Sequence, residues 1–304
     1  MKIFLTGATG YIGGSVATKL LKTGHQVIGL VRSPESAAKL QQQGIEPLIG
    51  SLSDYQLLID AARQADAVIN AADSDNPFVV TTLLLALAGS NKLFIHTSGS
   101  SLVGDKAAGE LSQRIYHEDI VFTPLTEKAG RVAINQRVLA SAHEGVRSVV
   151  LCHSLIYGQG HGLKKNSIQI PWLIELAKKK GVACHIGKGE NVWSHVHIDD
   201  VVELYLLAMQ HAPSGSFFFV ENGETSLESI AEAISQMLGL SEQTYSMTID
   251  EAIQEWGAEA AHFAFGSNSR VRANKARKLL KWNPAGRGLM DEIKQGYYYL
   301  DRAE

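Results

Sequence analysis

The first half of the chain alternates short apolar runs with segments patterned at helical spacing. Apolar, β-rich runs end at Thr6, Arg32, Gly50, Ala72, Ser98 and about His153. Helical patterns lie between most of them, over residues 12–22, 34–43, 54–63, 77–88 and 129–143. Strands separated by helices of 10–15 residues imply right-handed crossovers and a parallel sheet. The pattern therefore predicts an α/β fold, a Rossmann-type doubly wound parallel sheet. Asp54 is placed to cap its helix, and Gly24 and Gly44 stand where helices should stop. Residues 99–126 form a longer, less periodic connection than any other, and loops of that length are functional or disordered.

Beyond residue 158 the rhythm changes. A helix over 171–180 ends in Lys178-Lys-Lys180, cations that complement a helix C-terminus. A glycine-rich stretch over 181–190 leads to Trp193-Ser-His-Val-His-Ile-Asp-Asp200 and an apolar helix to about Gln210. A strand over 217–221 precedes a helix over 227–238, and the tail holds Asn274-Lys-Ala-Arg-Lys-Leu-Leu-Lys-Trp-Asn-Pro284 and a final helix. These elements read as too irregular to continue the sheet. The expected division is a sheet domain over 1–158 and a smaller C-terminal lobe over 159–304, mainly substrate-binding, with some elements free to return to the core.

The first strand runs straight into Gly7-x-x-Gly10-x-x-Gly13, and an amphipathic helix follows without a linker. In that context each glycine has a purpose: Gly7 for the tight turn, Gly10 for backbone approach to a pyrophosphate, Gly13 for close packing of helix on strand. The helix N-terminus offers unpaired N–H groups and partial positive charge to phosphates. Thr6, Gly7, Thr9, Gly10, Tyr11, Ile12 and Gly13 are thus the expected pyrophosphate segment. The second strand ends nineteen residues after Gly13, where such a fold meets the adenosine ribose. An acidic residue there would accept from the 2′-hydroxyl of NAD. The chain has Arg32 and Ser33 instead, a cation and a hydroxyl suited to a 2′-phosphate. The expected cofactor is NADP, with NAD the lesser expectation; the plainer alternative is that Arg32 is a solvated residue ahead of the Ser33-Pro34 helix start.

Composition narrows the class. Hydrophobic residues make up 45% and charged residues 19% of the 304 positions, ordinary for a globular chain. A net charge of −3 gives no electrostatic reason to expect nucleic acid or an anionic membrane as partner. Cys152 and Cys184 have neither metal-ligand nor redox spacing. The longest apolar run, Val79 to Ala88, is too short to span a bilayer. The chain opens directly on a core strand, leaving no room for a signal peptide, so a cytoplasmic protein acting on a small molecule is expected.

Taken in order, the motifs resemble the extended short-chain dehydrogenase/reductase superfamily, in its NAD-dependent epimerase/dehydratase and dihydroflavonol-reductase-like branch. Thr6-Gly-Ala-Thr-Gly-Tyr-Ile-Gly13 is similar to the nucleotide motif, and Asn70-Ala-Ala72 to the strand-four segment along the cofactor. His96-Thr-Ser98 stands where the family keeps its catalytic Ser/Thr, and Ile156-Tyr-Gly158 resembles the turn after strand six. His197-Ile-Asp-Asp200 and Leu280-Lys-Trp-Asn-Pro284 resemble two C-terminal signatures. The resemblance implies that Leu52, Ala71, Ala72 and Thr97 lie against the coenzyme, that Ser98 polarises the substrate oxygen, and that Trp193 and His195 line the substrate cleft. It also makes a homodimer possible.

The family's chemistry rests on Tyr-x-x-x-Lys, and no tyrosine here has a lysine four residues on. Spacing places Glu127 where the tyrosine should be and Arg131 where the lysine should be. Arg131 can still hold the nicotinamide ribose but cannot give up a proton. An ordinary glutamate is ionised at pH 7, and Glu127 with Arg131 also reads as a surface i,i+4 ion pair. His96, His153, Tyr157, a water held by Ser98, Tyr116 and His117 are the candidates for the missing acid. His153 either faces the nicotinamide or is a buried structural residue. His195 and His197 share a strand face but lack a third ligand, so no metal is expected. The leading expectation is NADPH-linked reduction of an aldehyde or ketone by an atypical short-chain enzyme. The alternatives are a sugar-nucleotide epimerase/dehydratase that retains its cofactor, and a non-catalytic NADP-binding sensor.

Overall fold

The computed structural model describes residues 1–240 and 243–301. Seven parallel strands form the central sheet: β1 (Lys2–Thr6), β2 (Gln26–Val31), β3 (Glu46–Ile49), β4 (Ala67–Asn70), β5 (Leu93–Gly99), β7 (Arg147–His153) and β11 (Ser216–Val220). Their spatial order is β11-β7-β5-β4-β1-β2-β3. The inner strands are buried on both faces, which is why they read as continuous apolar runs rather than alternating ones. The order reverses between β1 and β4, and in such sheets ligands bind outside the carboxyl ends of the strands at this switch point.

Helices cover both faces. On one side α1 (Tyr11–Lys22), α2 (Pro34–Gln42) and α7 (Ile198–His211) pack on Ile3, Leu5, Ile69, Ile95 and Leu151. On the other α3 (Tyr55–Gln64), α4 (Pro77–Leu87) and α5 (Thr126–Ala140) pack on Phe4, Val68, Phe94 and Val150. Local chemistry sets the starts and stops. Ser33 caps α2 through Ser36 N, Asn76 caps α4 through Val79 N, and both helices open on proline. Gly24 and Gly44 follow their helices in the left-handed region, at φ +82° and +81°. Asp54 stands at the N-cap of α3, but its carboxylate accepts from Ser51 N at 2.5 Å instead of from the helix.

The reading that the chain beyond 158 is too irregular to continue the sheet is corrected by β11, which pairs with β7 along Ser216–Val220 and forms the sheet's edge. Helix α7 likewise returns to the core beside α1. The rest builds a lobe over the strand ends. Its sheet is β12 (Glu224–Ser226), β10 (Val192–His197) and β8 (Leu155–Tyr157), flanked by α6 (Gln169–Lys180) and α8 (Leu227–Leu238). A second pair joins β13 (Tyr245–Met247) to β9 (Cys184–Ile186). The long connection over 99–126 is ordered against this lobe: β6 (Tyr116–His117) pairs with β14 (Val271–Arg272), and Ser100 Oγ lies 2.7 Å from Ser269 Oγ. Asp200, buried at the start of α7, accepts from Ala285 N and Gly286 N and fixes the Trp282–Gly286 tail. Among the described residues no helix is long and apolar enough to cross a membrane.

Candidate active site

A cleft of about 800 Å³ opens at the switch point. Of the residues expected along a coenzyme, Gly7, Thr9, Gly10, Arg32, Ser33, Leu52, Ala71 and Ala72 line it. Gly7 turns at φ +78°, and a Cβ there would sit 2.6 Å from Ala71 O. A Cβ on Gly13 would sit 2.3 Å from Gly7 O, so this glycine lets α1 lie against the turn. Gly10 is the N-cap of α1 without a side-chain cap, and the first turn carries no acidic residue. The helix therefore presents N–H groups and positive potential to the cleft, a setting that fits a pyrophosphate.

Four members of the expected set have other duties. Thr6 is fully buried; its hydroxyl donates to Asn70 Oδ1 at 2.6 Å and ties β1 to β4. Tyr11 contributes backbone at the helix start, but its hydroxyl donates to Gly158 O at 2.8 Å. Thr97 pairs with the Tyr205 hydroxyl at 2.6 Å. Ile12, on the first turn of α1, packs against the core. Ser36, Ser51, Ser53 and Asp73 also line the cleft and were not singled out from the sequence. Ser36 lies three residues past Ser33 on the first turn of α2, a signal the spacing contained.

Toward α5 the arrangement departs from expectation. Glu127 and Arg131 do not pair. Glu127 is bound to Lys106, whose hydrogen bond holds its carboxyl below the usual range, so it is ionised and has no proton to give. Arg131 bends the other way. Its Nε donates to Asp75 Oδ1 at 2.7 Å, Nη2 pairs with Asp75 Oδ2, and Nη1 donates to Ser101 Oγ at 2.7 Å. Hydrogen bonds from Arg131 hold the Asp75 carboxyl below its ordinary range. Next to this group Lys128 is buried, paired with Glu259, its Nζ 4.1 Å from the centre of the Phe263 ring.

Ser98, expected to polarise a substrate oxygen, is 3% exposed and accepts from Asn135 Nδ2 at 3.0 Å. The reason is the two-residue period of β5, which sends His96 and Ser98 toward α4 and α5 while Thr97 faces α7. His96 lies 3.2 Å from Asn70 Nδ2, and burial pushes its pKa down to about 4. His153 faces α7, with Nε2 3.1 Å from the Tyr205 hydroxyl. Burial pushes it down to about 3, so the ring is neutral. The Tyr157 hydroxyl donates to Arg287 O.

The pair expected to line the cleft, Trp193 and His195, is buried. Trp193 donates to Ser267 O within the lobe core. His195 Nε2 lies 3.0 Å from Thr225 Oγ1, with its ring edge-on to Tyr157. Along β10 these side chains fill the lobe's interior. Its neighbour His197 caps α7 by accepting from Asp199 N. Among the described residues no group of three or more His, Cys, Asp or Glu is placed to hold a metal.

Comparison with known proteins agrees with this geometry. The model of the NAD dependent epimerase/dehydratase family matches residues 3–219. Oxidase ucsJ of Acremonium sp. is 31% identical over 331 residues, covering 96% of this chain and 95% of that protein. The 4-hydroxy-2-methyl-3-oxo-4-farnesyl-3,4-dihydroquinoline-1-oxide ketoreductase of Stigmatella aurantiaca is 27% identical over 237 residues, covering 73% of this chain and 69% of that protein. Among solved structures, dTDP-glucose 4,6-dehydratase of Bacillus anthracis in complex with NAD shares the fold, with a TM-score of 0.79 at 16% identity over 100% of this chain and 97% of that one. With its glycine turn at the switch point and that pattern running from β1 to β11, the chain belongs to the NAD-dependent epimerase/dehydratase family of extended short-chain dehydrogenases/reductases.

Proposed function

We propose that this protein is an NADP-linked oxidoreductase that interconverts a small aldehyde or ketone and its alcohol. One observation carries the coenzyme choice. Arg32, at the end of β2, lines the cleft and makes no ion pair among the described residues, beside the hydroxyls of Ser33 and Ser36. A guanidinium without a carboxylate partner, where a ribose 2′-substituent lies in this fold, favours a phosphate over a hydroxyl. The ketoreductase relative supports the carbonyl class. A bound nicotinamide coenzyme supplies the hydride, or accepts it in the reverse direction. Gly7 through Gly13 would hold the pyrophosphate, Arg32 and Ser33 the 2′-phosphate, and Leu52, Ala71 and Ala72 the adenosine. Arg131 would stand at the nicotinamide end in place of the family lysine.

The test is a titration with NADPH and NADH, followed by a panel of aldehydes and ketones monitored at the nicotinamide absorbance. Hydrogen bonds to charged groups are worth about 1.5–3 kcal/mol, so NADPH should bind roughly ten- to a hundredfold more tightly. Arg32→Asp should level or invert that order; equal affinities in the native protein would remove the case for NADP. A second reading, a sensor that binds NADP without turnover, draws on the tyrosines: the hydroxyls of Tyr11, Tyr157 and Tyr205 are all engaged elsewhere. Binding without turnover on any carbonyl would favour it. Coenzyme that co-purifies and never exchanges would favour a sugar-nucleotide epimerase or dehydratase instead.

A further inference from the structure

The hydroxyls that follow β5 are not equivalent. Ser98 is buried and accepts from Asn135, and Ser100 is 1% exposed with its oxygen on Ser269. Ser101 is partly exposed, two residues beyond the strand's carboxyl end, the end at which ligands sit in this fold. Its oxygen accepts from Arg131 Nη1, so its own proton is available to a further acceptor. Two features hold that guanidinium in place. Asp75, from the loop after β4, grips Nε and Nη2 side by side, a geometry that fixes the plane of the group as well as its charge. Gly99 leaves room for it: a Cβ there would lie 3.2 Å from Nη1.

We propose that Ser101 is the catalytic hydroxyl of this site, that Arg131 polarises it, and that Asp75 is the residue that positions Arg131. The arrangement replaces the missing Tyr-x-x-x-Lys pair with a carboxylate–guanidinium–hydroxyl chain, and it rests on the oxidoreductase reading above. In the reducing direction Ser101 donates a hydrogen bond to the substrate carbonyl oxygen. As an electron pair and hydrogen arrive at the carbonyl carbon from the reduced coenzyme, the C=O π pair moves onto oxygen. The Ser101 O–H bond breaks and the product O–H bond forms. The serine oxyanion, stabilised by the Arg131 N–H, is reprotonated by a hydronium or buffer acid from solvent, the one proton that the reduction consumes. Arg131 stays charged throughout, and Asp75 neither gains nor loses a proton.

The test uses the full chain with NADPH, on whichever panel carbonyl the wild type reduces fastest. Ser101→Ala should lower kcat at least a hundredfold, within the usual range for a positioned acid, and Ser101→Thr should recover a tenth or more. Asp75→Asn should lower kcat at least tenfold while KM and the NADPH dissociation constant stay within threefold. Added guanidinium should restore part of the activity of Arg131→Ala. Ser98→Ala should stay within threefold of wild type. Arginine ¹⁵N NMR of the coenzyme-free chain gives a readout independent of turnover: the Arg131 Nε–H signal should be exchange-protected in the wild type and Ser101→Ala, and lost in Asp75→Asn. Wild-type turnover that survives Ser101→Ala, or that is lost in Ser98→Ala instead, overturns this assignment alone. An unchanged Arg131 signal in Asp75→Asn overturns the positioning role. No turnover by the wild type on any carbonyl overturns the oxidoreductase reading, and the catalytic role of Ser101 with it.

Discussion

Two glycines of one motif should fail in opposite ways when changed to alanine. At Gly13 the new Cβ would lie 2.3 Å from Gly7 O and 2.8 Å from Gly7 C. Both are backbone atoms, and the first contact is about 1 Å short of ordinary packing distance. Relief requires α1 to move away from β1, taking with it Val16, Ala17 and Leu20, which are at most 1% exposed. Overpacking of a tight core costs about 1–3 kcal/mol, and a clash between backbones belongs at the upper end. At about 2–4 °C per kcal/mol for a large domain, Gly13→Ala should melt roughly 6–12 °C below wild type. Gly10 differs: its φ is −79°, which any residue adopts, and a Cβ would lie 3.1 Å from Gly7 O. Gly10→Ala should melt within about 2 °C of wild type, because the neighbour need give only a few tenths of an ångström. Its methyl would instead occupy the approach to the helix N-terminus and weaken NADPH binding by roughly tenfold or more. Thermal melts followed by circular dichroism, paired with a fluorescence titration of NADPH, read both quantities. Equal melting losses in the two variants, or full NADPH affinity in Gly10→Ala, would refute the division of roles.

Other consequences can be measured on the same preparation. His96, His153 and His195 are held neutral by burial, with pKa values near 4, 3 and 4, against about 6.5 in an unfolded chain. The unfolded state therefore binds more protons between those limits, so stability should fall as pH drops from about 6.5 toward about 3; a urea midpoint that stays flat from pH 7 to 5 would contradict this. Asp200→Ala should cost about 3–5 kcal/mol, because it leaves the Ala285 and Gly286 N–H groups without their buried carboxylate. Asp200→Asn, which keeps one acceptor, should cost less, and equal denaturation midpoints for the two would argue against the clamp.

Much of the framework was legible from local pattern. Strand and helix periods differ, so β1 to β5 and α1 to α5 could be placed from the spacing of apolar residues, and the glycine spacing marked the turn that a phosphate needs. Lys178 to Lys180 do close α6, as their charge at a helix end implies. The assignment of side chains at the strand ends was harder. Whether Ser98, Ser100 or Ser101 faces a ligand depends on which side of β5 is covered by α5, a contact set by residues more than thirty positions away. Glu127 and Arg131 lie four apart and invite pairing, yet Lys106 and Asp75 reach them first from two separate loops. Likewise Phe217-Phe-Phe-Val220 reads as a strand, but nothing local says that it crosses back to the edge beside β7.

Order along the chain thus determined what each segment can become, because backbone period, turn chemistry and helix ends depend on neighbours within a few residues. The folded molecule decided which of several similar hydroxyls, carboxylates and rings meet the cleft. That choice rests on burial and on partners distant in sequence, which close packing brings within hydrogen-bonding distance.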